Sequence, residues 1–173
     1  MNNWYVITGA PCSGKTTILN ELKKRGYRVY YEMARIYIDQ ELKKGKTLKE
    51  IRKNEFDFQK KVLELKIDFE KKLARNKLLF LERGIPDSVA YMYLCGVEDK
   101  TYFKKTTNNC SYKKVFLLER VKYERDYART ESQKEAKLLE GLLEKSYLGC
   151  GIKTIKVPRL SITERTNFIL SNL

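Results

Sequence analysis

Six residues into the chain, the stretch ITGAPCSGKTT (residues 7–17) constrains the fold more than any other feature. Gly9, Ala10, Pro11, Cys12, Ser13, Gly14, Lys15 and Thr16 satisfy the pattern G-x-x-x-x-G-K-[ST], and Thr17 follows. A loop of this kind curls until successive amides converge on phosphate oxygens. Lys15 adds a cation near the β- and γ-phosphates, and the Thr16 hydroxyl is placed to bind Mg²⁺. The motif works only between a strand and a helix, because the helix start supplies the positive end of its dipole to the anion. The chain is therefore expected to enter an α/β arrangement at once and to hold a nucleoside triphosphate, ATP or GTP, with Mg²⁺. Cys12, inside the loop, reads as a small filler rather than a nucleophile.

The rest of the chain keeps alternating. Strands are predicted at 4–8, 27–31, 77–82, 114–119 and 151–158. Helices are predicted at about 15–24, 34–44, 86–95 and 132–147, with a final helix opening at Ser161. Thr47-Leu48-Lys49-Glu50 is a capping box and opens a long helical stretch to about Arg75. Its apolar stripe is Leu48, Ile51, Phe58, Val62, Leu65, Phe69 and Leu73. Ser132-Gln133-Lys134-Glu135 and Ser161-Ile162-Thr163-Glu164 are two further capping boxes. Strands that are continuously apolar and separated by helices imply a parallel sheet covered on both faces, so the fold class is α/β.

With 173 residues and no repeat or linker, the chain reads as one domain, 1–173. Of its residues 42% are hydrophobic, which excludes a disordered tail. The net charge of +14 favours polyanions, but the cations are mostly lysines interleaved with acids on helical faces. A solvated surface is favoured over a nucleic-acid groove. The tyrosines are scattered and match no nucleic-acid module. The four cysteines form no C-x-x-C pair, and no leader or membrane-length apolar run is present, so a cytoplasmic protein with free thiols is expected. There is no histidine, so proton transfer falls to Asp, Glu, Lys or Tyr.

Ligands of parallel sheets bind at the carboxyl ends of the strands. Glu32 follows the second strand, where it could take a proton from an acceptor hydroxyl or simply cap the next helix. Glu82 ends an apolar strand, a costly place for a charge without a task; holding Mg²⁺ or its water shell is such a task. Arg83 could meet a substrate phosphate or anchor Glu32 through a bidentate pair. Arg120, Arg125 and Arg129 lie between a strand and a capped helix, on a loop that can close over a triphosphate or else form a solvated basic turn.

ITGAPCSGKTT, YYEMAR, FQKKVLELKI, FLERGIPDS and YERDYARTES, in this order and spacing, resemble the AAA-type P-loop domain family related to bacterial nicotinamide riboside kinases. The resemblance covers about Tyr5 to Leu170 and is closer to nucleoside and nucleotide kinases than to ring-forming machines. It implies a three-layer α/β/α P-loop fold with a five-stranded parallel sheet. It also implies that Glu32 lies near the acceptor, that Glu82 and Arg83 form the acid–arginine pair after the third strand, and that Arg129 is the lid arginine, with Asp126 as its acid. Two departures stand out. Asp126-Tyr127-Ala128-Arg129 lacks the glycine of D-G-x-R, and Glu82 stands where many relatives carry Asp, one methylene shorter.

Together these features lead to an ATP-dependent kinase of a nucleoside, nucleotide or riboside. In that reading Lys15, Glu32, Arg83, Arg125 and Arg129 act on the reacting groups, residues 9–17 bind the nucleotide, and Thr16 with Glu82 positions the metal. A nucleoside triphosphatase, a polynucleotide 5′-end kinase and a nucleotide-dependent switch stay open as alternatives. The helical stretch from Leu48 and the segment 97–109 are expected to roof the acceptor pocket.

Overall fold

The structure, a computed structural model, describes residues 2–108, 110–120 and 133–173. Five strands form one parallel sheet in the order β2-β3-β1-β4-β5: β1 Trp4–Thr8, β2 Arg28–Tyr30, β3 Leu79–Glu82, β4 Lys114–Leu118 and β5 Thr154–Val157. The expected α/β class and strand count are borne out. Each strand is shorter than or equal to its predicted span, because the end residues leave the ladder to enter turns.

β1 shows why the layers form. Tyr5 and Ile7 point to one face and pack on Ile18, Leu19 and Leu22 of α1 (Lys15–Lys24) and Ile169 of α8 (Ile162–Ser171). Trp4 and Val6 point to the other face and pack with Tyr112 and with Tyr147 of α7 (Gln133–Leu148). Every residue of β1 is buried, so the period-two alternation feeds two apolar cores rather than one core and solvent. The register sets Ile7 beside Glu82 and Thr8 beside Leu117, which brings the carboxyl ends of β1, β3 and β4 to one edge.

α2 (Met33–Lys43) and α5 (Ile85–Leu94) fall where expected, within a residue. The long helical stretch does not run unbroken. It is a single turn, α3 (Leu48–Ile51), then α4 (Glu55–Lys71). The Thr47 capping box is present, with Thr47 Oγ1 accepting from the Glu50 amide and the Glu50 carboxylate accepting from Thr47 N. Asn54 then sits in extended backbone (φ −121°) and its side chain accepts from the Asp57 amide, starting a second helix. An Asn that caps competes with continuing the helix, and here the cap won. The buried face of α4 also differs from the expected stripe. It runs through Phe58, Val62 and Leu63 together with Gln59, Lys66 and Glu70, whereas Leu65, Phe69 and Leu73 are only partly buried.

A helix not foreseen, α6 (Lys100–Thr107), opens at Asp99, whose side chain accepts from the Tyr102 amide. Its Phe103 packs on Tyr93 with ring centres 4.6 Å apart. This draws residues 97–108 onto α5, and none of them lines the cleft described below, contrary to the expected roof. Among the described residues no helix is long and apolar enough to cross a membrane. The Ser132 capping box lies outside the described residues.

Candidate active site

The phosphate loop follows β1 as its motif demands. Gly9 (φ 148°), Cys12 (φ 63°) and Gly14 (φ 83°) take positive φ and curl the chain. Gly9 tolerates no side chain. A Cβ there would lie 2.7 Å from both Leu118 O and Ser13 Oγ. Lys15 is buried at the base of the curl, its Nζ donating to the carbonyls of Gly9 (3.0 Å) and Ala10 (3.1 Å). Burial, then the charge of Arg83, lowers its ammonium to about 8.

Thr16 and Glu82 meet as expected, with Thr16 Oγ1 donating to Glu82 Oε1 at 3.0 Å. Glu82 is only 5% exposed. Burial and then the charge of Glu32 raise its carboxyl above the usual range, so its anion gains from a cation alongside. Hard oxygen donors beside a phosphate loop fit Mg²⁺, with phosphate oxygens and water completing the shell. Among the described residues no group of three His, Cys, Asp or Glu could hold a metal on its own.

Glu32 occupies the N-cap position of α2, yet its side chain makes no capping bond. It turns instead to Arg83, whose Nε donates to Glu32 Oε1 at 2.7 Å. Burial opposes the charge of Glu32, but Arg83, with Lys15, Lys66 and Arg35 behind it, outweighs burial and holds the carboxyl down at about 2. Geometry thus decides between the two sequence readings of Glu32 against the cap.

Arg83 does more than anchor one acid, and its pairing with Glu32 is not the bidentate one expected. Its Nη1 donates to Asp87 Oδ1 (3.1 Å) and Gly9 O (3.3 Å), and its Nη2 donates to Tyr91 Oη (2.9 Å). The guanidinium spreads its donors over β1, α2 and α5. It reaches them from an unusual backbone, φ 64°, which costs a non-glycine residue on the order of 1 kcal/mol and is held by these bonds.

The turn after Arg83 is fixed from below. Asp87 Oδ2 accepts from Gly84 N (2.9 Å) and from the Tyr147 hydroxyl, and Asp87 Oδ1 accepts from Thr8 Oγ1 (2.6 Å). Tyr147 Oη also accepts from Gly84 N (3.0 Å), and Tyr112 Oη accepts from Ile85 N (2.9 Å). Lys66 Nζ donates to Gly84 O (3.0 Å). Gly84 has no room for a Cβ, which would lie 2.8 Å from Tyr147 Oη and 2.9 Å from Tyr112 Cζ.

One cleft joins these parts. The phosphate loop, Glu82 and Arg83 line one end; Ile38, Arg52, Phe58, Gln59, Val62 and Tyr91 line the other. Of the predicted site residues the structure brings together Lys15, Thr16, Glu32, Glu82 and Arg83. Arg125 and Arg129, like Asp126, lie outside the described residues. Arg120 ends up partly buried after β4, with its Nη1 unpartnered among the described residues. Sequence reasoning missed Gln59, Lys66, Tyr112, Tyr147 and Arg165. A polar set at 59, 66 and 70 on one helical face was a usable signal for the first two. Tyr112, Tyr147 and Arg165 carried none. Arg165 of α8 donates to Ser13 O (2.9 Å) and Glu119 O (3.0 Å), clamping the loop to the end of β4.

No curated protein sequence matches the chain. Solved structures do. A deoxyadenosine kinase from M. mycoides superposes with a TM-score of 0.67 at 20% identity over 98% of this chain and 97% of its own. A thymidylate kinase from Ehrlichia chaffeensis gives 0.67 at 11% identity over 98% and 96%. One from Candida albicans gives 0.62 at 16% over 98% and 89%. At these identities the likeness is one of fold: a five-stranded parallel sheet carrying a phosphate loop after its central strand. The sequence profile of the AAA domain family matches residues 4–165, from β1 to the arginine that clamps the loop, and the chain belongs to that family.

Proposed function

We propose that the protein transfers the γ-phosphoryl group of ATP to a hydroxyl of a nucleoside-type acceptor. The observation that carries this reading is Glu32. It is an ionised carboxylate held by Arg83, and it faces the same cleft as the phosphate loop. At a pKa of about 2 it is a weak base, suited to accepting the hydrogen bond of a hydroxyl and orienting it, with the proton moving late. Phosphoryl transfer asks for this kind of positioning together with charge stabilisation. Lys15 and the loop amides would hold the phosphates. Thr16 and Glu82 would hold Mg²⁺, which supplies charge neutralisation at the phosphates when bound.

The acceptor side supports a hydroxyl over a phosphate. Its cations already face partners: Arg52 pairs with Glu55 (2.6 Å), Arg83 with Glu32 and Asp87, and Lys66 with Gly84 O; Arg35 is also engaged. A phosphate acceptor would meet the charge of Glu32, and among the described residues the cations beside it are already engaged. Ile38, Phe58 and Val62 offer an apolar wall for a flat heterocycle, with Gln59 and Tyr91 as polar groups beside it. The resemblance in fold to nucleoside and nucleotide kinases supports the same reaction class.

The test is transfer from labelled ATP with Mg²⁺ to a panel of nucleosides, nucleoside monophosphates and 5′-hydroxyl oligonucleotides. Labelled nucleoside monophosphates are expected. Phosphate release with no labelled acceptor would establish a triphosphatase instead, and labelling of oligonucleotides alone a polynucleotide kinase.

A further inference from the structure

Two tyrosines that do not line the cleft stand directly beneath its arginine. Tyr147 Oη accepts from Gly84 N (3.0 Å) and Tyr112 Oη accepts from Ile85 N (2.9 Å), so the two amides after Arg83 rest on hydroxyls 63 and 27 positions away. Both rings are buried in the core that also holds Trp4, Val6, Leu79 and Leu81, and they meet edge to face with centres 6.4 Å apart. Each hydroxyl is held on its other side by an acid. Tyr147 donates to Asp87 Oδ2, and Tyr112 Oη lies 2.9 Å from both carboxylate oxygens of Glu70. Burial raises both phenols well above their usual range, so the hydroxyls stay protonated donors. The two side chains are struts, rooted in the core and ending on one turn.

What the struts fix bears on Arg83. Its φ of 64° is strained for an arginine and persists only while the peptides after it are held. Gly84 fits against the struts without slack, since a Cβ there would lie 2.8 Å from Tyr147 Oη and 2.9 Å from Tyr112 Oη. Asp87, which Tyr147 anchors, also accepts from Arg83 Nη1 at 3.1 Å. The same guanidinium reaches Glu32 Oε1 through Nε (2.7 Å) and Gly9 O through Nη1 (3.3 Å). Its orientation therefore sets the acid of the cleft against the phosphate loop.

We propose that Tyr112 and Tyr147 are positioning residues for phosphoryl transfer: they lock the amides of Gly84 and Ile85 so that Arg83 keeps Glu32 aimed at the phosphate loop. The effect on turnover rests on the kinase proposal, whereas the hold on Arg83 belongs to the fold and is read without substrate. Removing the Tyr147 hydroxyl takes one of two acceptors from Gly84 N and one donor from Asp87. Removing the Tyr112 hydroxyl takes the acceptor from Ile85 N and the donor from Glu70. A phenylalanine keeps the ring and its packing in both cases, so the change falls on the turn. With the turn loosened, the strain at Arg83 relaxes and its guanidinium leaves Glu32. Small misplacements of a reacting group cost large factors in rate. Gly9 O keeps its bond from Lys15 (3.0 Å), so the hold on ATP is spared.

Tyr147→Phe and Tyr112→Phe are made separately in the full chain. With a nucleoside acceptor, kcat should fall about tenfold or more in each, while the KM for ATP stays within about twofold of wild type. In protein carrying isotope-labelled arginine and no substrate, the Nε proton of Arg83, buried against Glu32, should give a slowly exchanging resonance, identified by its shift in Glu32→Gln. Both phenylalanine variants should exchange that proton about tenfold faster. Leu143→Ala controls for lost stability. It opens a cavity one turn from Tyr147 on α7 and outside the struts, so it should unfold at lower urea yet keep kcat and the protected proton. Unchanged kcat in both phenylalanine variants, an unchanged Arg83 proton, a rise in the KM for ATP in place of the fall in kcat, or equal losses in Leu143→Ala would each overturn the proposal. Should one phenylalanine variant not fold, the other decides by the same two readouts. If wild type phosphorylates no acceptor, the kinase reading fails, and the exchange of the Arg83 proton still decides whether the tyrosines position it.

Discussion

In the proposed reaction Glu32 concentrates the chemistry of the cleft in one side chain. It is charged because of Arg83 and oriented by it, and it lies where an acceptor would enter. Glu32→Gln keeps the shape and removes the charge. Turnover should fall about 10²-fold or more while ATP affinity, measured by calorimetry, holds; unchanged turnover would remove Glu32 from the reaction. Lys15 makes a second prediction at this scale. Its ammonium is lowered to about 8, so the charge is complete below that pH and is lost as pH rises through it. Affinity for ATP should therefore weaken between about pH 7 and about pH 9.5. A flat profile would assign the affinity to the loop amides alone. Lys15 and Thr16 were legible in the sequence because their roles follow from a local backbone motif. Glu32 was half legible. Its place at the strand edge could be read, but the partner that draws it away from the cap is 51 residues away.

α4 and the turn 84–87 show how an element can carry function through what it buries. α4 turns Gln59, Lys66 and Glu70 inward, and Lys66 and Glu70 support the turn and the Tyr112 strut from below. Burial raises the Glu70 carboxyl to about 7, although its bond from Tyr112 works the other way. A carboxyl raised on folding binds its proton more tightly in the native state. Its ionisation therefore costs stability as pH rises from the unfolded value near 4.5 to about 7, and the cost persists above that. Glu70→Gln removes the cost and keeps an acceptor for Tyr112. The variant should be more stable than wild type by about 1–2 kcal/mol at about pH 8, and the difference should vanish near pH 4 in urea melts at the two pH values. The apolar periodicity of α4 announced a helix but misplaced its buried face. A periodicity reading assumes that apolar residues face inward, and here three polar side chains do so, Gln59 and Lys66 toward the cleft and Glu70 against the Tyr112 hydroxyl. The break before α4 was missed because Thr47 and Asn54 are both good caps and only packing decides whether one helix or two forms.

Across the whole molecule, the strand order does the assembling. β1 lies between β3 and β4, so the phosphate loop, Glu82-Arg83 and the end of β4 converge although they are far apart in sequence. Arg165, almost at the end of the chain, closes the assembly by holding Ser13 O and Glu119 O. Arg165→Met keeps much of the aliphatic stem and leaves both carbonyls without that donor. It should cost about 1–3 kcal/mol in thermal or urea unfolding and weaken ATP binding, because the back of the phosphate loop is released. An unchanged affinity would show that the loop holds its curl unaided. The sequence by itself determined the phosphate loop, the alternation of strands and helices and hence the α/β class, since each is set by neighbours within one or two turns of chain. Only the tertiary structure decided the meeting of Glu32 with Arg83, the tyrosine struts beneath Gly84 and the clamp of Arg165. Those contacts join residues tens of positions apart, and what selects them is the burial of two apolar faces of one sheet together with the need of every buried charge and amide for a partner.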